Sequence, residues 1–354
     1  SGKMECMIWF PIAAAMVSSG SQADSARFHV HLQGDRFLKL TSESREQRFY
    51  EVRGIPDRPW SEAVPSWHAE TPGRSWFELQ VRVKPAGKWL SFGPWSTSGE
   101  SEPRRSLENQ KDGKATIDTD TLIVPDGNKV EFRLIANRGA EGEWPVIRSL
   151  DFALSGAKPE LAPDTRTPSK TWGTTLDVPE RSQMNYPGGN VLCSPTSVSM
   201  LLWHWSRLLE RPELDSDVPE VQKGVHDVTW KGTGNWTFNM AFAAQKPGLR
   251  ALVARLGSMQ ELEAWIEAGV PVSTSISYDL LKGKEKRGSN DGHLVVLVGF
   301  TKDGDPVFND PGKGTQVRQT YQRDHFRAAW ATSNMTVYLV YPKTWIVPPL
   351  SSGR

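Results

Sequence analysis

The chain is short of cysteine, of net charge and of long apolar runs. Two cysteines in 354 residues, Cys6 and Cys193, exclude a disulfide framework. A formal net charge of +1, with basic residues scattered and never in a run longer than a pair, provides no electrostatic footprint for nucleic acid. Beyond the first two dozen residues, no segment approaches the ~18 consecutive apolar residues of a membrane-spanning helix. A His-Glu-x-x-His motif is also missing, which disfavours a zinc peptidase. His29 and His31 share one strand face, but without further ligands nearby they give no metal site, and no cofactor is expected.

What is abundant is tryptophan (15), proline (25) and glycine (30), the composition of a turn-rich fold with large aromatic anchors. The length exceeds one ordinary core, since single cores stop growing at ~250–300 residues, so two domains are expected. Residues 1–23 hold an apolar run of about a dozen residues that ends in small residues before Asp24. This predicts a secretory signal and an extracytoplasmic, secreted or surface-associated protein; the alternative is an apolar arm packed on the body. Removal of that segment would leave Cys193 as the sole thiol. Such a thiol outside the reducing cytosol is either buried and inert or there for its reactivity.

Residues 24–156 read as strands. Phe77–Lys84 and Val130–Leu134 alternate apolar and polar positions, the mark of a half-buried strand, with turn signals at 72–73, 85–87, 111–114 and 125–128. An all-β sandwich, jelly-roll-like, is predicted. Its tryptophans at 60, 67, 76, 89, 95 and 144 either fill the core or form a platform for a glycan ligand. Residues 157–171 are proline-rich and short of large apolar groups, the composition of an extended linker.

From 172 to 347 the periodicity changes. Val198, Leu201, Leu202, Trp205, Leu208 and Leu209 fall on one helix face, with Ser194 as expected N-cap and Pro195 at the first helical position. A second helix is predicted over 259–268, capped by Ser258, followed by strands at 270–276, 293–300 and 307–310. Helices first and strands afterwards make this an α+β domain.

Cys193 lies at the expected helix start, where the helix dipole favours thiolate over thiol. An imidazole beside it would strengthen that preference. His204 is excluded because it lies eleven residues along the same helix, ~16 Å away at ~1.5 Å per residue. His293 heads an apolar strand, and Asp310, at the end of the return strand, can supply a carboxylate to orient its ring. A tight hairpin centred on Asp303-Gly304 would set position 310 opposite 297, so contact with His293 needs a bulge or a wider loop. Gln183 can donate to a developing oxyanion together with the Cys193 N–H. Trp236 either lines a substrate groove or belongs to the core.

Val178-Pro179 followed by Gln183, Cys193-Ser194-Pro195-Thr196-Ser197, Gly292-His293-Leu294-Val295-Val296 and Asn309-Asp310-Pro311 resemble the papain-like cysteine peptidases of the bacteriocin-leader-processing, double-glycine type. The resemblance spans about 172–342. Gly234–Asn239 and Tyr338–Pro342 within it are similar to a secreted, stand-alone branch of that family. It implies an α+β papain-like cysteine peptidase domain preceded by the all-β sandwich. In that domain Gln183 forms the oxyanion hole, Cys193 is the nucleophile, His293 the general base and acid, and Asp310 the orienter. The substrate would be a protein, a peptide or a cell-wall peptide. One departure is Ser194, where the family usually has glycine; a side chain there can narrow the cleft. The competing expectation is a non-catalytic surface protein that binds glycan or protein and carries a relic peptidase domain.

Overall fold

The computed structural model describes residues 27–34, 36–98, 104–124, 129–156 and 163–351. The signal-like segment 1–23, the turn at 125–128 and the first part of the 157–171 linker lie outside these residues.

The first unit runs through eleven strands: β1 (Arg27–Gln33), β2 (Leu38–Glu43), β3 (Gln47–Val52), β4 (Glu62–Glu70), β5 (Trp76–Val83), β6 (Leu90–Trp95), β7 (Lys111–Asp112), β8 (Ala115–Asp118), β9 (Thr121–Ile123), β10 (Val130–Asn137) and β11 (Val146–Ser155). They form two antiparallel sheets, ordered β1-β11-β4-β9-β8-β7 and β2-β3-β10-β5-β6. The alternating stretch in β5 behaves as its pattern requires, with Phe77, Leu79 and Val81 buried. The sheets meet through aromatic pairs, Phe132 with Phe152 at 4.9 Å and Trp67 with Phe77 at 5.3 Å. Of the six tryptophans considered as a platform, Trp60, Trp67 and Trp95 are buried. Trp89 and Trp144 lie at the surface under stacked guanidinium groups of Arg133 and Arg48.

The second unit contains α1 (Cys193–Leu208), α2 (Val218–Val225), α3 (Trp236–Ala244), β12 (Leu249–Arg255), α4 (Met259–Glu267), β13 (Val272–Ser277), α5 (Tyr278–Leu281), β14 (Gly292–Phe300), β15 (Pro306–Asn309), β16 (Arg318–Thr320), α6 (Arg323–Ala331) and β17 (Thr336–Pro342). Its antiparallel sheet has the order β12-β17-β13-β14-β15-β16. The two expected helices, α1 and α4, do precede the three expected strands, β13, β14 and β15, but β12 comes before α4, α5 separates β13 from β14, and α6 precedes the last strand, β17. The helix α4 follows its sequence signals: the Ser258 hydroxyl accepts from Glu261 N–H, and Gly269 ends it at a φ of 77°.

The start of α1 departs from expectation. Its N-cap is Leu192, which offers no side-chain cap, and Cys193 is the first helical residue. Ser194 does not cap because its hydroxyl bonds the buried Tyr338 hydroxyl at 2.9 Å. The end of the linker is docked: Asp164 pairs with the fully buried Arg323 at 2.6 Å, and Arg323 also reaches Glu263 at 2.9 Å. Among the described residues, no helix is long and apolar enough to cross a membrane.

The two units share a broad seam. Asp227, buried in the second, accepts the Ser106 N–H from the first at 3.0 Å on both oxygens. Arg255 pairs with Glu62 at 2.7 Å, and Thr237 donates to Pro65 O at 2.7 Å. Trp67 and Phe238 bring their rings to 6.4 Å across it.

Candidate functional site

The geometry is set by α1 lying on the sheet. β14 is buried from His293 onward, as an apolar run covered on both faces should be, and α1 packs against it. Ser197 donates to Leu294 O at 3.5 Å, which ties the first turn of the helix to the strand beside His293. Cys193, partly buried at the head of α1, thereby faces His293 near the head of β14.

The hairpin between β14 and β15 answers the register question. Gly299 pairs with Val307, but Leu297 pairs with Phe308, so one residue is bulged out between them. The next pair is Val296 with Asn309. Continuing this ladder would put Asp310 opposite Val295, a diagonal neighbour of His293 on the same face. The side chains close the remaining gap: His293 Nε2 lies 2.7 Å from Asp310 Oδ1.

Asp310 is fully buried and heavily bonded. Its Oδ1 also accepts from Gly312 N–H at 2.9 Å, and its Oδ2 accepts from the hydroxyls of Tyr321 at 2.6 Å and Tyr278 at 3.2 Å. Tyr278 further packs its ring against His293, with centroids 4.5 Å apart. Gly312 is needed here, since a β-carbon would sit 3.2 Å from both Asp310 Oδ1 and the His293 ring.

The electrostatics follow from these contacts. Burial opposes charge on all three groups, and in each case the partners outweigh it. Burial pushes the Cys193 thiol up, but the hydrogen bond and charge of His293 bring it below its ordinary value. The Leu294 and Ser194 backbone N–H groups act in the same direction. Burial pulls the His293 imidazole down, but Asp310 and Cys193 raise it to about 9. Burial raises Asp310, while His293, Tyr321 and Gly312 N–H hold its carboxyl below the usual range. Each of these contacts thus biases the row toward thiolate, imidazolium and carboxylate.

Gln183 is buried in a short 3-10 turn over Gln183–Asn185, started by Ser182. Its N–H donates to Pro311 O at 2.9 Å, so it is anchored to the residue after Asp310, and its Oε1 is buried without a partner. Gly189 lets the chain pass Gln183: a β-carbon at 189 would lie 2.1 Å from the Gln183 carbonyl oxygen. Trp236 begins α3, and its N–H donates to Asp120 in the first unit, which sets it at the seam. His204 lies elsewhere, with Nδ1 3.3 Å from Asp177 O.

Sequence reasoning missed Tyr278, Tyr321 and Gly312, because nothing in their spacing marks them as partners of one carboxylate. It also left Ser194 undecided. With 1% exposure and its hydroxyl on Tyr338, Ser194 fills the interior rather than the open side of the thiol.

Such a row can activate a thiol as nucleophile and return a proton to a leaving group. Comparison with known proteins agrees in kind. Residues 175–337 match the Peptidase_C39 like family, and residues 52–155 match the Peptidase C39 N-terminal domain. A crystal structure from Bacillus anthracis, provisionally described as a C39-like peptidase, is 17% identical. It covers 48% of this chain and 98% of its own, with a TM-score of 0.35. No curated protein matches the chain.

Proposed function

We propose that this chain, whose residues 175–337 match the Peptidase_C39 like family behind a match to the C39 N-terminal domain, is an exported, bacterial, thiol-dependent amide hydrolase of papain-like α+β fold. The observation that carries this reading is the Cys193, His293, Asp310 row, in which His293 lowers the thiol and Asp310 holds the imidazole, joined to Gln183 through Pro311.

In this mechanism the Cys193 thiolate attacks the amide carbonyl carbon, and the electron pair moves to oxygen. The Gln183 amide and the Cys193 N–H receive that oxyanion, a contribution of ~3–4 kcal/mol. Collapse of the adduct breaks the C–N bond as imidazolium His293 protonates the departing amine. His293, now neutral, takes a proton from water, whose oxygen attacks the thioester. The acid product leaves and the thiolate and imidazolium are regenerated. Asp310 orients the ring throughout. The scissile amide belongs to a protein, a peptide or a cell-wall peptide. Leader processing coupled to export is not part of this proposal.

Residues 24–156 are proposed as a jelly-roll-like β-sandwich accessory domain, 157–171 as its linker and 172–347 as the hydrolase domain. The β1-β11-β4-β9 and β3-β10-β5-β6 strand orders support the first of these. The rival reading, a relic domain in a glycan- or protein-binding molecule, drew its force from Ser194 blocking the cleft. The Ser194 bond to Tyr338 removes that ground.

The test is hydrolysis of a panel of peptide and cell-wall amides by the chain and by its Cys193→Ala variant. Turnover that falls to background in the variant supports the proposal. A folded parent with no turnover and an unreactive thiol would overturn it.

A further inference from the structure

A broad opening lies away from Cys193. It lies at the seam, a cleft of about 820 Å³ whose wall includes His29, His31, Arg36, Arg53 and Arg250 and whose rim is the segment 347–350. A second opening of about 470 Å³ shares His31, Arg250 and Tyr341 with it and adds His68, Arg148 and Lys343. Among the described residues no carboxylate lines the first opening, and Asp151 alone lines the second.

Asp151 pairs with Arg250, and Glu51 with Arg53 at 3.2 Å, while Arg36 adds a further guanidinium to the wall. Asp151 is 2% exposed, and its Oδ1 already accepts from His29 Nε2, His31 Nδ1 and Arg250 Nη2, each at 2.8 Å. One buried oxygen therefore holds three nitrogen atoms in place at the cleft. Two other nitrogens of these side chains, His29 Nδ1 and Arg250 Nε, are buried with no hydrogen-bond partner, and the His29 side chain is only 8% exposed. The Arg250 Nε–H is a buried unpaired donor, which is costly, and an oxyanion is the partner that best suits a guanidinium fork. The other side of the cleft is apolar, formed by Phe37, Val347, Pro348, Pro349 and Leu350.

We propose that this cleft is a binding site for an oxyanion, a carboxylate or a phosphate, carried on a small apolar body. Arg250 and Arg36 hold the charged end beside the His29, His31 pair, and the proline-rich rim covers the apolar part. His29 and His31 lie on β1 and Arg250 on β12, so the ligand bridges the two units. The site uses neither Cys193 nor His293 and stands whether or not the chain hydrolyses amides.

The test is calorimetric titration of the full chain, at low salt, with N-acetylleucine, with its uncharged amide N-acetylleucinamide and with inorganic phosphate. Saturable binding of N-acetylleucine, absent for the amide, identifies a carboxylate ligand; saturation by phosphate alone identifies a phosphoryl group. Either should weaken about tenfold or more in Arg250→Gln. Arg36→Gln, at an exposed position where folding is not at stake, should weaken it as well. Equal binding of acid and amide, no saturation by either anion, or anion binding unchanged in both variants would overturn the proposal.

Discussion

His293 and Asp310 meet at 2.7 Å although a regular hairpin would set them apart. The bulge between Leu297 and Gly299 shifts the return strand by one residue and makes the contact. An identifiable backbone irregularity thus delivers the carboxylate to the imidazole.

The first prediction concerns that contact. Asp310→Asn keeps an acceptor for the Tyr321 and Tyr278 hydroxyls but removes the charge that stabilises imidazolium. Amide hydrolysis should fall by ~10²–10⁴-fold, with the fold retained by circular dichroism. A loss below about threefold would mean that Asp310 does not orient the ring.

A second prediction is the pH profile of hydrolysis. The thiolate must be unprotonated and the imidazolium protonated for acylation. Activity should therefore rise through a thiol value below the ordinary one and fall as pH passes about 9, where His293 loses its proton. In Asp310→Asn the alkaline limb should move to lower pH. Measured kcat/KM across pH gives both limbs.

Ser194→Ala separates packing from chemistry. It leaves the fully buried Tyr338 hydroxyl without its 2.9 Å partner and should cost about 1–3 kcal/mol in denaturant unfolding. The alkylation rate of Cys193 should change less than about twofold. A several-fold acceleration would instead place the serine side chain over the thiol.

Asp120 gives a stability test at the seam. Burial raises its carboxyl to about 6, despite the Trp236 N–H it accepts. A carboxyl whose folded value exceeds its unfolded value contributes stability below pH 3.8 that is lost as pH rises through about 6. Asp120→Asn keeps an acceptor for Trp236 N–H and removes this loss. It should stabilise the chain by about 3 kcal/mol at pH 8 and by little at pH 4.

Local signals were legible where they act alone. Phe77 to Val83 alternates and forms β5; Ser258 and Gly269 bracket α4. Cys193, His293 and Asp310 stood out because thiol and imidazole each head a recognisable element and the carboxylate ends the return strand. Properties that depend on distant neighbours were not legible. Ser194 looked like a cap because its partner, Tyr338, is 144 positions away. Tyr321 and Tyr278 reach Asp310 from different elements, and the bulge that aligns Asp310 leaves no mark in the composition of β14. The seam was hidden for the same reason: Asp227 reads as a loop residue until Ser106 of the first unit donates to it.

The central claim is a thiolate and imidazolium pair at Cys193 and His293. The most direct measurement is the rate of iodoacetamide alkylation from about pH 4 to 9, read at the Cys193 peptide so that Cys6 does not contribute, for the chain and for His293→Ala. The account predicts reactivity that persists well below the reference thiol value of ~8.5 in the parent and retreats toward it in the variant. A thiol that is inert, or that titrates near ~8.5 in both proteins, would contradict it.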